Sequence, residues 1–312
     1  MDQLRFDGRV AVVTGGARGM GREHSLLLAL RGAKVVVADF GGELDGTGRS
    51  QGPADEVVKE IEADGGEAVA CYADVSDAEE AAGIIDVAVG TFGRLDVVVN
   101  NAGISDPGAF ADLSLDQFRK MIDVHYYGTL HVSKSAWPHM VEAGYGRFVN
   151  VTSESVFGMP KLTSYGSAKG ACFALIRNMA ADATGTGIQV NGIMPRGSTR
   201  MANANAMSIL MGVPEETLPP IMPGMPPEQV APAVAYLAHE SVPFNGEVFA
   251  IGSGTLERIV VLETAGMTLS SDRPTPEEIA SNIGTTLDIE GARVVGVGGV
   301  DTPGATPMVQ AQ

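Results

Sequence analysis

Short segments of almost continuous hydrophobic residues alternate with longer segments of helical spacing from near the start of the chain. A strand buried on one face alternates polar and apolar residues, whereas a strand buried on both faces reads as a hydrophobic run. Seven segments of the second kind are predicted to be parallel strands: Val10–Thr14, Lys34–Ala38, Glu67–Ala70, Asp96–Asn100, Arg147–Thr152, Ile188–Ile193 and Val248–Ile251. Because helices must cover both faces of such a sheet, the pattern predicts an α/β fold.

The regular alternation predicts one doubly wound, Rossmann-type sheet of seven parallel strands, in a single domain over residues 1–265. Two segments interrupt the alternation and are expected to be loops: a glycine-rich one at residues 40–53, and a methionine- and proline-rich one at residues 201–227. Residues 266–312 are expected to form a C-terminal extension. Thr275, followed by Pro-Glu-Glu, is typical of a helix start, and the last dozen residues favour a flexible tail.

Capping boxes predict where two of the helices begin. In such a box a serine hydroxyl and the side chain three residues later each bond the other's backbone N–H. The two predicted boxes pair Ser76 with Glu79 and Ser114 with Gln117.

Composition and charge exclude several classes of function. The formal net charge of −17 disfavours nucleic-acid binding, because phosphate contacts need a concentration of Lys and Arg. The sequence contains no apolar run long enough to span a membrane. Cys71 and Cys172 are too few for a disulfide framework and lack metal-ligand spacing. We therefore expect a cytoplasmic protein without a secretory leader, without a metal, and with neither nucleic-acid nor membrane partners.

A glycine-rich turn follows the first predicted strand and opens a helix. It reads Thr14-Gly-Gly-Ala-Arg-Gly-Met-Gly21. Glycines here let the backbone turn sharply and approach a pyrophosphate at the helix N-terminus. The turn predicts a dinucleotide site, with these candidate cofactor-binding residues: Gly15, Arg18, Gly19, Met20 and Gly21.

Asp39 ends the second predicted strand, where a carboxylate accepts hydrogen bonds from the adenosine ribose hydroxyls and repels a 2′-phosphate. This position favours NAD over NADP as the cofactor. Arg18 is the opposing signal, because its guanidinium is able to pair with a 2′-phosphate. The alternative is that Asp39 only caps the loop that follows it.

Tyr165 and Lys169 lie four residues apart, on one face of a helix predicted from about Thr163 to Ala183. A neighbouring ammonium stabilises a phenolate and lowers the tyrosine pKa, which would make Tyr165 a usable general base for an alcohol proton. On its own, a Tyr/Lys pair on a helix is more often part of a solvated surface.

Four motifs in the same order resemble the short-chain dehydrogenase/reductase family, over about residues 5–260. They are the glycine-rich turn, Asn-Asn-Ala-Gly at Asn100–Gly103, Thr152–Ser153 at the end of the fifth strand, and Tyr165 with Lys169. The resemblance implies an NAD-dependent oxidoreductase acting on an alcohol or ketone. It implies that Tyr165 is the acid/base, that Lys169 holds the nicotinamide ribose, and that a serine orients the substrate oxygen. Further cofactor contacts implied in this way are Asp74, Val75, Asn101, Ala102, Gly103 and Pro195.

Two positions depart from the family pattern. Ser153 lies twelve residues before Tyr165, one fewer than usual. We choose Ser153 as the catalytic serine because it ends the strand, and Ser155 is the alternative. His125 stands where the family carries the asparagine of a proton relay. His125 is either a relay residue, and so a catalytic candidate, or a core histidine whose hydrogen bonds are satisfied.

Further segments resemble one branch of the family, the dehydrogenase domains of peroxisomal multifunctional enzymes type 2. These segments, besides His125, are Ala136–Met140, Tyr145–Arg147, Val230–Glu240 and, in the extension, Pro274–Ile283. The branch implies (3R)-3-hydroxyacyl-CoA or 17β-hydroxysteroid substrates. The family also implies a homodimer or homotetramer formed through helices at about residues 115–142 and 163–183.

The segment at about residues 200–227 is interpreted as a mobile lid over an apolar substrate. Methionines adapt their shape to a ligand, and those of this segment are Met201, Met207, Met211, Met222 and Met225. The alternative is a loop that merely covers the core. Arg196 and Arg200 at its base are candidates to meet a CoA phosphate, so acyl-CoA, steroid and another hydrophobic alcohol all stay open as substrates.

Two other functions are consistent with the same motifs. One is a catalytically silent regulator that binds NAD. The other is a dehydrogenase that retains its nicotinamide cofactor and uses a different redox partner. The loop at residues 40–53 is compatible with such a buried cofactor but does not require one.

Overall fold

The computed structural model describes residues 3–219, 223–270 and 272–297, so the predicted flexible tail and Met222 lie outside the described residues. The chain divides into two compact units, Met1–Arg258 and Ile259–Gln312. The boundary falls a little before residue 265, the boundary expected from the sequence.

The strands of the first unit form one sheet. Among the described residues it has eight strands, in the order β3-β2-β1-β4-β5-β6-β7-β8. Their bounds are β1 Val10–Thr14, β2 Lys34–Ala38, β3 Glu67–Cys71, β4 Val97–Asn100, β5 Gly146–Val151, β6 Ile188–Arg196, β7 Val248–Gly252 and β8 Thr255–Ile259. Strands β1 to β7 pair in parallel. The Rossmann-type α/β prediction is confirmed, and the count of seven strands was one short.

The eighth strand escaped prediction for a physical reason. Strand β8 lies at the edge of the sheet, and its first three residues are exposed. An exposed edge strand has no need of a hydrophobic run, so Thr-Leu-Glu-Arg-Ile does not read as a strand buried on both faces.

Helices alternate with these strands along the chain. Their bounds are α1 Gly19–Leu30, α2 Gly52–Ala63, α3 Ala78–Phe92, α4 Leu115–Met121, α5 Gly128–Ala143, α6 Thr163–Asp182, α7 Ala204–Met211, α8 Ala231–Ala238 and, in the second unit, α9 Pro276–Leu287. A π-helical segment, Ile122–Tyr127, joins α4 to α5. Short 3₁₀ turns occur at Glu154–Phe157, Arg200–Ala202, Glu215–Thr217 and Pro227–Gln229.

The predicted helix starts have mixed outcomes. The capping box of Ser114 and Gln117 is confirmed. The box of Ser76 and Glu79 is wrong, because Asp77 caps α3 and accepts from the backbone N–H groups of the two residues after Ala78. Ser76 instead donates to Asp74, at 2.7 Å.

The core of the first unit lies against the central strands. Val13, Val37, Val99 and Val149 are fully buried and belong to one cluster, into which residues of α1, α2 and α8 also pack. Burial of each such side chain stabilises the fold by about 1.5–3 kcal/mol. The order of the strands reverses at β1, which pairs in parallel with β2 on one side and with β4 on the other. A crevice opens at such a switch point, outside the carboxyl ends of the strands.

The second unit contains an antiparallel pair, β9 Leu262–Glu263 and β10 Arg293–Val294, together with α9. Thr275 caps α9 by accepting from the backbone N–H of Glu278, as its sequence predicts. Within the described part of the chain, the search for a helix long and apolar enough to cross a membrane finds none.

Asp96, which precedes β4, is expected to be a large local contributor to stability. Its carboxylate is 1% exposed and accepts from Arg9, Arg94 and the backbone N–H of Val10. Replacing Asp96 by Ala leaves that buried N–H without a partner, which costs about 2–4 kcal/mol of unfolding free energy. Denaturant titration measures this loss.

The matched control is Asp7→Ala, which removes an exposed ion pair with Arg5. Such exposed pairs contribute little to stability, because water and salt screen them. Equal losses in the two variants would contradict the role assigned to Asp96.

Candidate active site

A cleft of about 360 Å³ opens at the carboxyl ends of β1, β2 and β4. The predicted cofactor residues that line it are Gly15, Arg18, Gly19, Met20, Gly21, Asp39, Asp74, Val75, Asn101, Ala102 and Gly103. The structure thus brings together residues that lie far apart in the sequence. Pro195 is not among the lining residues and pairs with Ile251 at the end of β6.

The glycine-rich turn needs glycine because the backbone is crowded there. Gly15 has φ +61°, and a Cβ on it would lie 2.9 Å from the Cα of Ala102. A Cβ on Gly21 would overlap the carbonyl oxygen of Gly15. Helix α1 then begins without a side-chain cap from Arg18, so its first-turn N–H groups point an uncompensated positive dipole at the cleft.

Asn101 ties the end of β4 to the end of β1. Its amide nitrogen donates to the carbonyl oxygens of Thr14 and Gly15, at 3.0 and 3.2 Å. The Thr14 hydroxyl accepts from the backbone N–H groups of Asn101 and Ala102. These bonds hold together two loops that line the cleft.

Asp39 holds the two loops beside it. One carboxylate oxygen accepts from the N–H of Ala17, at 3.0 Å, and the other from the N–H of Gly41, at 2.8 Å. The second bond is the loop cap that the sequence left open as an alternative. Asp39 nevertheless lines the cleft, so capping and a cofactor contact are compatible.

Two arginines converge on one carbonyl beside Asp39. Arg18 and Arg200 each donate to the oxygen of Gly42, at 2.9 Å. Arg200 also lies 3.8 Å from Glu43. Burial, followed by the nearby charge of Arg18, lowers the pKa of Arg200. Sequence reasoning missed Arg200 at this end of the site, because no local pattern reports a contact 158 residues away.

The catalytic candidates meet near the end of β5, and they are not among the residues that line the cleft. The Ser153 side chain acts on Tyr165 and lowers its pKa, and Ser153 Oγ accepts from the N–H of Ser155, at 3.1 Å. Lys169 is buried, with its Nζ 5.8 Å from the Tyr165 ring centroid and donating to the Val151 carbonyl at 2.8 Å. Ser155 Oγ is buried and has no hydrogen-bond partner among the described residues. The geometry therefore brings Ser153, and not Ser155, to the tyrosine.

Burial controls the protonation of this pair. Desolvation raises the pKa of Tyr165 to about 12, and the Ser153 hydrogen bond opposes this shift only in part. Desolvation also lowers the pKa of Lys169. In the protein chain by itself the pKa of Tyr165 is therefore raised and not lowered, because burial disfavours the phenolate and Lys169 is not among the causes of the shift.

His125 lies in the π-helical segment and packs directly on Tyr165. The two rings meet edge to face, with centroids 5.1 Å apart. His125 Nε2 lies 2.9 Å from the Ile104 carbonyl and 3.3 Å from the Ile104 backbone nitrogen, so it donates to the first or accepts from the second, according to the tautomer. His125 Nδ1 is buried and finds no partner in the described part of the chain. Burial, then the charge of Lys169, holds the pKa of His125 well below its usual range, so the ring is neutral.

The predicted lid contains a helix that its sequence did not reveal. Helix α7 is capped by Asn203, which accepts from the N–H of Ala206. Asn before an apolar run is a recognised helix start and was the missed signal. Met201 lines the cleft, Met207 is half-buried, and Met211 is 54% exposed.

Comparisons with known proteins agree with this architecture. A sequence model of the short chain dehydrogenase family matches residues 9–207. A short-chain type dehydrogenase/reductase of Mycobacterium tuberculosis is 39% identical over 290 residues, 92% of this chain and 97% of that one. Mouse peroxisomal multifunctional enzyme type 2 is 37% identical over 282 residues, 89% of this chain but only 36% of that enzyme.

A solved structure of 7α-hydroxysteroid dehydrogenase, in complex with NADH and 7-oxo glycochenodeoxycholic acid, is also similar. It is 29% identical, with a TM-score of 0.68, and the match covers 82% of this chain and 99% of that one. The family match extends over most of the chain and includes the glycine-rich turn, Ser153 and Tyr165. The chain belongs to the short-chain dehydrogenase family of oxidoreductases that act on CH–OH groups.

Proposed function

We propose that this protein is an NAD(H)-dependent oxidoreductase that interconverts a secondary alcohol and a ketone on a hydrophobic substrate. The observation that carries the proposal is the position of the buried Lys169, with its Nζ 5.8 Å from the Tyr165 ring centroid, together with the effect of Ser153 on the tyrosine pKa. Turnover of hydrophobic secondary alcohols, followed by NADH absorbance, tests it.

The residues of the cleft fit a dinucleotide. A Cβ on Gly15 or Gly21 would overlap the turn or the residues at the end of β4, so glycine keeps the turn tight, and the uncapped start of α1 favours a pyrophosphate. Asp39 favours NAD by repelling a 2′-phosphate, and Asp74 lines the same cleft, which supports the adenine contact that the family resemblance implies. When bound, NAD supplies the acceptor for the hydride of the alcohol.

The protein's own groups handle the substrate oxygen and its proton. The Ser153 hydroxyl donates to the carbonyl or carbinol oxygen, and Tyr165 exchanges a proton with the same atom. With a pKa of about 12 the phenol keeps its proton at neutral pH, so it is ready to donate to a ketone. In the direction of alcohol oxidation the tyrosine must first lose that proton, and a positive charge held near it by Lys169 favours the loss.

The substrate is proposed to be 3-hydroxyacyl-CoA-like or hydroxysteroid-like. Support comes from similarity to the multifunctional enzyme and to the hydroxysteroid dehydrogenase, and from the methionines of the lid segment. A homodimer or homotetramer is proposed on the family resemblance alone.

A dehydrogenase that retains its nicotinamide cofactor is the second candidate. Arg200, from the lid segment, and Arg18, from the glycine-rich turn, both hold the loop after β2 through Gly42. Release of a dinucleotide would require these contacts to open. Copurification of NAD through extensive dialysis tests this candidate, while tight NAD binding without turnover of any alcohol would favour the silent regulator.

Replacing Gly21 by Ala is expected to weaken NAD binding at least tenfold, about 1.4 kcal/mol, because the new Cβ overlaps the Gly15 carbonyl. Calorimetric titration measures the affinity. Gly90→Ala is the control, since its Cβ in α3 meets nothing within 4 Å. Unchanged affinity in Gly21→Ala would contradict the placement of the pyrophosphate.

Replacing Ser153 by Ala is expected to lower kcat by about 100-fold, the usual effect of losing one donor to the reacting oxygen. Ser155→Ala is expected to change kcat less than about threefold, because its hydroxyl bonds to no described residue. Steady-state kinetics on one alcohol compares the two. The reverse order of effects would assign the role to Ser155.

Replacing His125 by Asn is expected to lower kcat about tenfold without moving the apparent pKa values of the pH–rate profile. The reason is that His125 is neutral and positions Tyr165 through ring contact. Loss of a limb of the profile between pH 6 and 8 would instead show that His125 relays protons.

A further inference from the structure

Lys161 lies between the candidate catalytic serine and tyrosine, and its backbone adopts a rare conformation. It follows the 3₁₀ turn Glu154–Phe157 and comes two residues before the start of α6. Among the described non-glycine residues, only Lys161, with φ +62°, and Ser253 adopt a positive φ. A side chain disfavours this region, so residues keep such a conformation only where their surroundings hold them, and they cluster at functional sites.

Lys161 bonds to two segments that are distant from it in the sequence. Its carbonyl oxygen accepts from the backbone N–H of Gly108, in the loop that follows β4, at 2.9 Å. Its ammonium donates to the carbonyl oxygen of Ile209, in α7. One residue thus joins the segment between Ser153 and Tyr165 both to that loop and to the helix of the lid segment.

The Ile209 carbonyl is well suited to accept from a cation. It belongs to the last turn of α7, where most carbonyl groups have no N–H partner within the helix and form the negative end of the helix dipole. Gly212, which follows the last residue of α7, lies beside the ammonium, since a Cβ on it would be 3.8 Å from Lys161 Nζ. Lys161 therefore caps the C-terminal end of α7 from another segment of the chain.

The start of the lid segment is held from a different place. Arg200 donates to the carbonyl oxygen of Gly42, in the loop after β2, at 2.9 Å. Met201 lines the dinucleotide cleft. The lid segment is thus bonded to the cofactor side of the site before α7 begins, and to the catalytic segment where α7 ends. Loss of the Lys161 contact would free the second end and leave the first in place.

We propose that Lys161 is a positioning residue for substrate binding, because its ammonium holds the C-terminal end of α7 against the catalytic segment. The proposal rests on the proposed oxidoreductase function and on the lid role of this segment. A lid that is already held in place has less freedom to lose when a substrate binds, so the contact favours binding. Lys161 is not expected to touch the reacting atoms, so its loss affects substrate affinity and not the chemical step.

Steady-state kinetics with 2-octanol and saturating NAD compares three variants of Lys161. Lys161→Met removes the ammonium, and Lys161→Gly removes it while allowing the positive φ without strain, so the second variant keeps the backbone conformation. In both we expect KM to rise at least about fivefold and kcat to change less than about twofold. Lys161→Arg keeps a cationic donor and is expected to restore KM to within about twofold. An unchanged KM in both variants, or a fall in kcat as large as the rise in KM, overturns the proposal.

Two controls show whether the effect is confined to the lid. Lys59→Met removes an exposed lysine of α2 and is expected to change neither KM nor kcat. The Kd for NADH, measured by calorimetry, is expected to stay within about twofold in Lys161→Met, because the Arg200 contact on the cofactor side is retained. A loss of NADH affinity as large as the rise in KM would show a general disturbance of the site and overturn the proposal.

Hydrogen exchange of the protein without substrate separates this proposal from the proposed function. The backbone amides of residues 208–212, at the C-terminal end of α7, are expected to exchange at least about fivefold faster in Lys161→Met and Lys161→Gly, and at the original rate in Lys161→Arg. Equal exchange in all variants overturns the proposal whether or not an alcohol is oxidised. Failure to oxidise 2-octanol counts against the proposed function, while the exchange rates still decide whether Lys161 holds α7.

Discussion

The hydrogen bonds between Asn101 and the end of β1 hold the centre of this structure together. Asn101 bonds the carbonyls of Thr14 and Gly15, and the Thr14 hydroxyl bonds the N–H groups of Asn101 and Ala102. Parallel strands end at the same edge of a sheet, so these bonds join two loops at the point where strand order reverses. The glycine-rich turn packs against this junction so closely that Gly15 has no room for a Cβ. These bonds therefore join the loops that line the cleft at the carboxyl ends of β1 and β4.

Desolvation dominates the chemistry of the catalytic side. It moves three neighbouring groups toward their neutral forms: the pKa of Tyr165 rises, and those of Lys169 and His125 fall. Polar contacts offset part of this desolvation. Ser153 acts on the Tyr165 phenol, and the Val151 carbonyl accepts a hydrogen bond from the Lys169 ammonium. The π-helical segment places His125 against the tyrosine ring, and such segments recur at functional sites. The pKa values of Tyr165, Lys169 and His125 therefore depend more on burial than on attraction between opposite charges.

Much of the fold followed from the residues. The seven predicted runs became strands, the central β1, β4 and β5 are buried along their whole length, and β1 and β2 have the bounds that were predicted. Strand β8 did not follow, since an edge strand is free to be polar. Helix α3 starts one residue later than its serine suggested, because Asp77 competes for the cap and accepts two N–H bonds. Such competition between neighbouring polar residues is decided by local geometry.

The sequence by itself determined the Rossmann-type sheet, the glycine-rich turn and the Tyr165–Lys169 pair, because each depends on spacing along the chain. The family resemblance supplied Ser153, and the tertiary structure favours it over Ser155, because Ser153 is the serine that acts on the tyrosine pKa. Tertiary structure also brought Glu154, after β5, and Glu257, on β8, to Arg196, a pairing that spacing along the chain does not reveal. Spacing reports which groups share an element, whereas burial and charge balance depend on contacts between distant residues.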